Sequence, residues 1–198
     1  MMEDDTEPDT CTCHPRLPLT PPDGWTLDNL PLADLPSSAE LIRGALIMSP
    51  PTAWHQQIVG TLTELVDAQS PDGYRVQYRM AVKRSARTAP EPDFSVIHAA
   101  AFDLGRYYCL PKDVVLAAEV VTPESEERDR EDKPRLYAGM GIPAFWLIER
   151  GADAAPVVYE YRLRDGDYHL EQTHSGRLRT GRPFSIDVPL ASPGSAEG

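Results

Sequence analysis

The feature that most constrains the fold of this chain is a continuous apolar run, VVLAAEVV, at residues 114–121. A run of this length and composition predicts a strand that is buried on both faces, as in the middle of a sheet covered by helices. Glu119 interrupts the run with an ionisable group. Because an unpaired carboxylate is costly to bury, Glu119 needs a proton, a cationic partner or a metal ion. The sequence therefore predicts a carboxylate with a specific partner inside a central strand.

The segments around this run alternate between strand and helix patterns. Apolar residues recur at helical spacing over residues 54–68 and predict a helix there. Residues 126–139 predict a second helix, which Pro134 interrupts. Further strands are predicted at residues 40–48 (with a turn or bulge at Gly44), 74–83, 92–97, 145–148, 157–163, 168–172 and 184–188. This order predicts an α/β chain of mixed α+β character, in which helices flank a mixed central sheet.

The remaining segments have weaker patterns. Residues 1–24 are acidic and then proline-rich, which predicts a disordered tail, and residues 191–198 predict a flexible tail. Residues 25–35 suit a short helix or turn that caps the fold, and residues 99–110 suit a short helix. A single domain over residues 25–190 follows from this division.

The cysteines and the apolar runs exclude several protein classes. Three cysteines without regular spacing argue against a disulfide scaffold. Cys11, Cys13 and His14 lie close enough to bind a soft metal, but incidental thiols in a tail are favoured, because no second pair of ligands is nearby to close a zinc site. The chain has no apolar run of membrane-spanning length, and its start lacks the features of a secretory signal. We therefore expect no membrane association and a cytoplasmic location.

Acidic residues at strand ends suggest a site. Asp93 opens its strand directly after Pro92, and Glu40 opens the strand pair at residues 40–48. Carboxylates on neighbouring strands can converge on one hard cation, such as Mg²⁺ or Mn²⁺. Among the three lysines of the chain, Lys133 follows Glu119 by fourteen positions, on the helix that leaves the central strand. That helix can return its ammonium group to the carboxylates.

A family resemblance attaches to these same segments. The stretches ELIRGALIMSPP, PEPDFSVI and AAEVVTPESEERDREDKPRLYAGMGIPAFWLIE, with His55 and Gln56 between the first two, resemble the Uma-type endonuclease family. That family is a branch of the PD-(D/E)xK superfamily, whose core is restriction-endonuclease-like. The resemblance covers roughly residues 30–170 and is most specific over residues 119–149.

The resemblance implies roles by position. Pro92 and Asp93 match the "PD" of the superfamily name, and Glu119 matches its second acid. The superfamily's lysine usually follows two residues later, where this chain has Val121. Lys133 matches the position on the following helix to which the family's lysine has moved.

Further positions match with less definite roles. Glu40 matches the acid of the family's first strand, His55 a histidine without an assigned role, and Tyr137 an aromatic position. The backbone carbonyl of Val120 is a further candidate metal ligand. The chain departs from the family where further acids are usual in the first hairpin, since Arg43 and Ala45 stand there.

Each candidate also has a structural interpretation. Glu119 could pair with an arginine such as Arg135, Asp93 could serve as a turn residue, and Lys133 could be a solvated helix residue. The acidic run at residues 124–132 is expected to be a solvated helix face. The basic residues Arg75, Arg79, Lys83, Arg84 and Arg87 suit a solvated strand edge better than a phosphate-binding ribbon.

Together these observations predict a metal-dependent endonuclease that acts on nucleic acid, with DNA favoured over RNA. The net charge of −12 opposes this prediction, because nucleic-acid binding depends on neutralising phosphates. The alternative is a catalytically inactive protein with the nuclease fold, which acts as a binding or regulatory partner and could form a homodimer.

Overall fold

The computed structural model describes residues 20–30 and 39–194. The α-helices in this part of the chain are α1 (Ala53–Asp67) and α2 (Lys133–Ala138). The strands, in chain order, are β1 (Ala39–Ile42), β2 (Ala45–Met48), β3 (Tyr74–Tyr78), β4 (Ala81–Val82), β5 (Phe94–His98), β6 (Tyr108–Cys109), β7 (Val114–Val120), β8 (Ala144–Arg150), β9 (Pro156–Arg164), β10 (Asp167–Ser175), β11 (Arg177–Thr180) and β12 (Ile186–Pro189).

A six-stranded mixed sheet is the centre of the fold. Its strand order is β10-β9-β8-β7-β5-β3. Only β7 and β8 run parallel, and the segment between them carries α2. The other neighbouring pairs are antiparallel. The predicted mixed α+β fold with a mixed central sheet is confirmed.

The alternation of side chains along β7 separates two apolar layers. Leu116, Ala118 and Val120 pack in the layer that contains the buried face of α1. Ala117 packs in the other layer, which contains Tyr137 of α2. Because successive strand residues point to opposite faces, Glu119 belongs with Ala117 on the α2 side of the sheet.

Helix α1 begins where the sequence predicts it. The Oγ1 atom of Thr52 accepts a hydrogen bond from the backbone N–H of His55 at 3.2 Å and caps the helix. Its buried positions, Ile58, Leu62 and Val66, recur at helical spacing and face the sheet. The N-terminal turn of α1 also places the ring of His55 in the interior.

The second predicted helix is continuous over residues 126–138 but changes its winding. A π-helical turn, Arg128–Asp132, precedes α2, and the backbone N–H of Lys133 donates to the carbonyl of Arg128, five residues earlier. Pro134 follows and has no backbone N–H to donate. Asp132 and Lys133 both keep right-handed helical φ and ψ, so the helical segment does not restart at Lys133.

The β1–β2 hairpin confirms the strand pair predicted at residues 40–48. Arg43 and Gly44 form its turn with φ of 52° and 83°, the left-handed combination of a two-residue hairpin loop. A Cβ atom at Gly44 would lie 2.5 Å from the Arg87 guanidinium. Glycine is favoured there by the left-handed backbone, and a side chain would also displace the Arg87 guanidinium.

Several sequence predictions are wrong in detail. The single strand at residues 74–83 is two strands, because Arg79 adopts a left-handed conformation with φ of 47° between them. Of the short helix predicted at residues 99–110, only the 3-10 turn Ala99–Ala101 forms, and the segment ends in β6. By contrast, the turn that was one of two alternatives for residues 25–35 is present at residues 27–29, and residues 31–35 lie outside the described part of the chain. Strand β11 had no counterpart in the prediction.

The tails and the domain division stay predictions. Residues 1–19, with Cys11, Cys13 and His14, and residues 195–198 lie outside the described part of the chain. Within that part, the helices are too short or too polar to cross a membrane.

Candidate active site

The predicted site residues other than Tyr137 line one pocket at the end of β7. Its volume is about 40 Å³. The ionisable groups that line it are the acids Glu40, Glu91, Asp93, Glu119 and Asp129, the cations Arg79 and Lys133, and His55. Among these described residues, carboxylates outnumber permanent cations by five to two. The pocket therefore favours additional positive charge, either protons or a metal ion.

Glu119 is the most buried of these acids, with 1% of its surface exposed. Its Oε2 atom accepts a hydrogen bond from Lys133 Nζ at 2.9 Å, and its Oε1 atom accepts one from the Tyr137 hydroxyl at 2.5 Å. Desolvation raises the pKa of Glu119 well above its ordinary 4.5; the attraction of Lys133 opposes this rise, and repulsion from nearby carboxylates adds to it. Glu119 thus holds a proton far more readily than a free glutamate.

Lys133 contacts three carboxylates rather than one. Besides Glu119, its ammonium nitrogen lies 3.4 Å from Glu40 Oε1 and 3.3 Å from Asp129 Oδ1. Desolvation alone would lower the pKa of Lys133, but these carboxylates raise it well above 10.5. Lys133 is therefore a buried, permanently charged ammonium group and not a solvated helix lysine.

Asp93 is fixed by a strand neighbour and by a histidine. Its Oδ2 atom accepts a hydrogen bond from the backbone N–H of Val120 at 2.8 Å and lies 3.0 Å from His55 Nε2. The pairing of β5 with β7 brings Asp93, the residue before β5, beside Val120. The other ring nitrogen of His55, Nδ1, is buried without a hydrogen-bond partner among the described residues.

Glu40 and another acid, Glu91, also line the pocket. Glu40 Oε2 accepts a hydrogen bond from the backbone N–H of Glu91 at 3.3 Å. The Glu91 side chain accepts a hydrogen bond from Arg79 Nε at 2.9 Å. Burial raises the pKa of Glu91 to about 7, although Arg79 opposes the rise. Glu91 was not among the predicted site residues, and Arg79 was expected on a solvated strand edge.

Asp129 is a site residue where the sequence predicted a solvated helix face. Only 2% of its surface is exposed, and its Oδ2 atom accepts a short hydrogen bond from Ser125 Oγ. Desolvation raises its pKa, with Lys133 and Ser125 opposing the rise. The spacing in the sequence could have indicated Asp129 as a site residue. Ser125, Asp129 and Lys133 recur at intervals of four and therefore share one side of a helix.

Glu119 does not pair with Arg135, the partner suggested for it in the purely structural interpretation; its cationic partner is Lys133. Arg135 is exposed and pairs with Glu131 at 3.2 Å, one turn earlier on the helical segment. Positions two apart on a helix point in nearly opposite directions, so Arg135 cannot share the orientation of Lys133. Tyr137, four residues after Lys133, does share it. Neither Arg43 nor Ala45 lines the pocket.

The donor atoms suit a hard divalent cation in their chemistry. Carboxylate oxygens are available from Glu40, Asp93, Glu119 and Asp129, and Mg²⁺ and Mn²⁺ prefer such oxygen ligands. In the described residues, however, no group of three or more acidic, histidine or cysteine side chains is arranged at metal-binding distances. Lys133 lies among these acids instead. A cation could therefore bind only if some carboxylates exchanged their present hydrogen-bond partners.

One comparison with known proteins shows the fold and another shows the family. Among solved structures, the chain resembles the crystal structure of "a putative nuclease belonging to DUF820" from Anabaena variabilis, with 17% identity and a TM-score of 0.57, over 80% of this chain and 89% of that one. At this identity the likeness shows the fold alone. No curated protein matches the chain. The sequence profile of the Uma2 family, described as "Putative restriction endonuclease", matches residues 27–190, and the chain therefore belongs to the Uma2 family.

Proposed function

We propose that this chain is a metal-dependent endonuclease that hydrolyses phosphodiester bonds of nucleic acid, with DNA favoured over RNA. One observation carries the proposal. Glu40, Asp93 and Glu119 come from separate segments of the chain and line one pocket with Lys133. Three acids and a lysine around a small pocket are the groups that metal-assisted phosphodiester hydrolysis requires. Membership of the Uma2 family supports the same reaction class.

In this proposal Asp93 and Glu119 hold Mg²⁺ or Mn²⁺, with Glu40 and the carbonyl of Val120 as further ligands. When bound, such a cation supplies Lewis acidity, which activates water and stabilises negative charge on the phosphate. Asp129 is an additional carboxylate in reach of the same space.

The other groups of the pocket prepare these ligands. The hydroxyl of Tyr137 donates to Glu119 and fixes its orientation. His55 and the backbone N–H of Val120 fix Asp93. Lys133 provides a charged ammonium group that can orient the attacking water or donate to a phosphate oxygen in the transition state. Hydrolysis by in-line attack of water would leave a 5′-phosphate and a 3′-hydroxyl.

The test is cleavage of plasmid and linear DNA by wild type and by Asp93→Asn, each with Mg²⁺ or Mn²⁺ and with a chelator. We expect cleavage by wild type only, and only with metal. Asp72→Asn is the matched control, because Asp72 is exposed and lies outside the pocket. Circular dichroism checks that Asp93→Asn remains folded. Full activity of Asp93→Asn would refute the assignment of the site.

A second candidate is a catalytically inactive protein of the same fold that acts by binding a partner. Such a protein could itself form a homodimer. The contacts of Lys133 favour it, since a lysine already neutralises the acids that a metal ion would need. Titration with Mn²⁺ separates the two candidates, because a folded wild type without saturable Mn²⁺ binding supports this one. Light scattering tests the homodimer.

We also propose a cytoplasmic location. Cys109 is a buried free thiol, and unpaired cysteines are usual in reducing compartments. Fractionation of cells that express the chain tests this proposal.

A further inference from the structure

A second, more open cleft of about 500 Å³ lies beside the acidic pocket. Arginines from three different segments line it: Arg43 in the β1–β2 turn, Arg84 in the loop after β4, and Arg135 in α2. We call it the arginine cleft. Its wall also includes the hydroxyl side chains of Ser85 and Thr88.

The arginine cleft is built on the same two elements as the acidic pocket. Strand β1 carries Glu40 at its second position, and the turn that follows carries Arg43. On the helical segment, Lys133 lines the pocket, while Asp132 directly before it and Leu136 three residues after it line the cleft. Residues at these spacings lie on adjoining sides of a helix, so the two cavities are neighbours.

The cleft concentrates uncompensated positive charge in an acidic protein. The net charge of the chain is −12, yet three arginines line this cleft against one acid, Asp132. Within the described residues, neither Arg43 nor Arg84 forms an ion pair. Arg135 pairs only with Glu131, whose side chain is 58% exposed, and such a surface pair is weak. These guanidinium groups are therefore free to bind an anionic ligand.

The backbone at Arg43 points to a role for its side chain. Its φ of 52° is left-handed, and asparagine or glycine is preferred at that position of a two-residue hairpin turn. The turn is held in place, because the backbone N–H of Arg43 donates to Thr88 Oγ1 at 3.2 Å and that of Gly44 donates to the carbonyl of Arg87 at 2.7 Å. A long cationic side chain at a strained, fixed turn indicates a function for the cation.

We propose that the arginine cleft binds backbone phosphates of the nucleic acid next to the scissile bond. The identity of this ligand rests on the proposed endonuclease function. Arginine binds phosphate oxygens in a bidentate manner, and Ser85 and Thr88 add hydroxyl donors. The acidic pocket repels a polyanion, so the affinity for nucleic acid comes from the cleft and the pocket performs the chemistry. A chain of negative net charge can in this way bind DNA.

The salt dependence of DNA binding tests whether the arginine cleft, and not the acidic pocket, supplies the affinity for DNA. The probe is a short fluorescein-labelled DNA duplex, with the unpaired strand as a second probe, and anisotropy is measured in the presence of a chelator so that no cleavage occurs. The variant is Arg43→Asn with Arg84→Gln, because asparagine tolerates the left-handed turn and the fold is preserved. The control, Arg177→Gln with Arg179→Gln, removes the same charge from β11, outside the cleft.

Each phosphate contact that is lost should reduce the magnitude of the slope of log affinity against log salt by about 0.9 for a duplex and about 0.7 for a single strand. We therefore expect the cleft variant, which loses two arginines, to lose about 1.8 from this slope for the duplex and about 1.4 for the single strand, while the control keeps the wild-type slope. An unchanged slope in the cleft variant, or no DNA binding by wild type, would overturn the proposal that the arginine cleft binds backbone phosphates. A reduced slope together with no cleavage by wild type in Mg²⁺ or Mn²⁺ would support the cleft and refute the endonuclease.

Discussion

Replacement of Lys133 by methionine tests how the acidic pocket is held together. Methionine fills a similar volume but removes the ammonium group that lies between 2.9 and 3.4 Å from Glu119, Asp129 and Glu40. The side chains of these acids are 9% exposed or less. Removing one partner of a buried ion pair costs about 3–5 kcal/mol, because the charge left behind is buried and unpaired. We expect a loss of that size in the free energy of unfolding at neutral pH.

The loss depends on pH in a defined direction. Without Lys133, the pKa values of Glu119 and Asp129 rise further above their ordinary values, so the folded state binds more protons than the unfolded state. Stability is then greatest below the unfolded pKa of about 4.5, and it falls as the pH rises through the window up to the raised pKa. The deficit relative to wild type should be smaller near pH 5 than near pH 8.

A divalent cation should compensate for the missing ammonium group if the pocket binds metal. At about a hundredfold excess over the dissociation constant, a ligand that binds only the folded state adds about 2.7 kcal/mol. Urea unfolding followed by circular dichroism, with and without Mn²⁺, measures both effects. Lys112→Met is the control, since Lys112 is exposed and its removal should change stability by no more than about 0.5 kcal/mol. A Lys133→Met protein within about 1 kcal/mol of wild type near pH 8 would refute the reasoning.

Two further substitutions separate the site from the rest of the fold. Tyr137→Phe leaves Glu119 Oε1 without its donor, and we expect a loss of about 1–3 kcal/mol in urea unfolding together with slower DNA cleavage; unchanged stability would show that this hydrogen bond has no net effect. Glu160→Ala removes the acceptor of the Thr180 hydroxyl at 2.8 Å and the partner of His174 at 3.0 Å, outside the pocket. We expect a similar loss of stability with unchanged cleavage by the folded protein, and lost cleavage would mean that this network supports the site.

The sequence predicted the central strand and its acid because both depend on local chemistry. The apolar run can only be a buried strand, and a carboxylate within it must have a partner, whatever the rest of the fold. The hairpin around Gly44 was predictable for the same reason, since a glycine between two short apolar segments suits a left-handed turn. The order of elements then restricted the chain to a mixed sheet.

The environment of Asp129 and Glu91 could not be read in the same way. Asp129 lies in a charged segment that looks solvated, and Glu91 lies between two prolines in a predicted loop. The contacts that enclose them, with Lys133 and Arg79, are tertiary. The choice between Lys133 and Arg135 as the partner of Glu119 depends on helical phase. The π-helical turn before α2 alters that phase, and a sequence pattern does not show where such a turn begins. The break at Arg79 likewise depends on a backbone conformation that arginine rarely adopts.

Calorimetric titration of Mn²⁺ into wild type and into Glu119→Gln tests the central claim, that the pocket is a metal centre, most directly. Glutamine keeps the size of the side chain and an acceptor for Tyr137, but it removes the charge that a cation requires. We expect saturable binding by wild type that is lost or greatly weakened in Glu119→Gln, with both proteins folded by circular dichroism. The absence of saturable binding in folded wild type, or equal binding by the two proteins, would show that the pocket is not a metal centre built on Glu119.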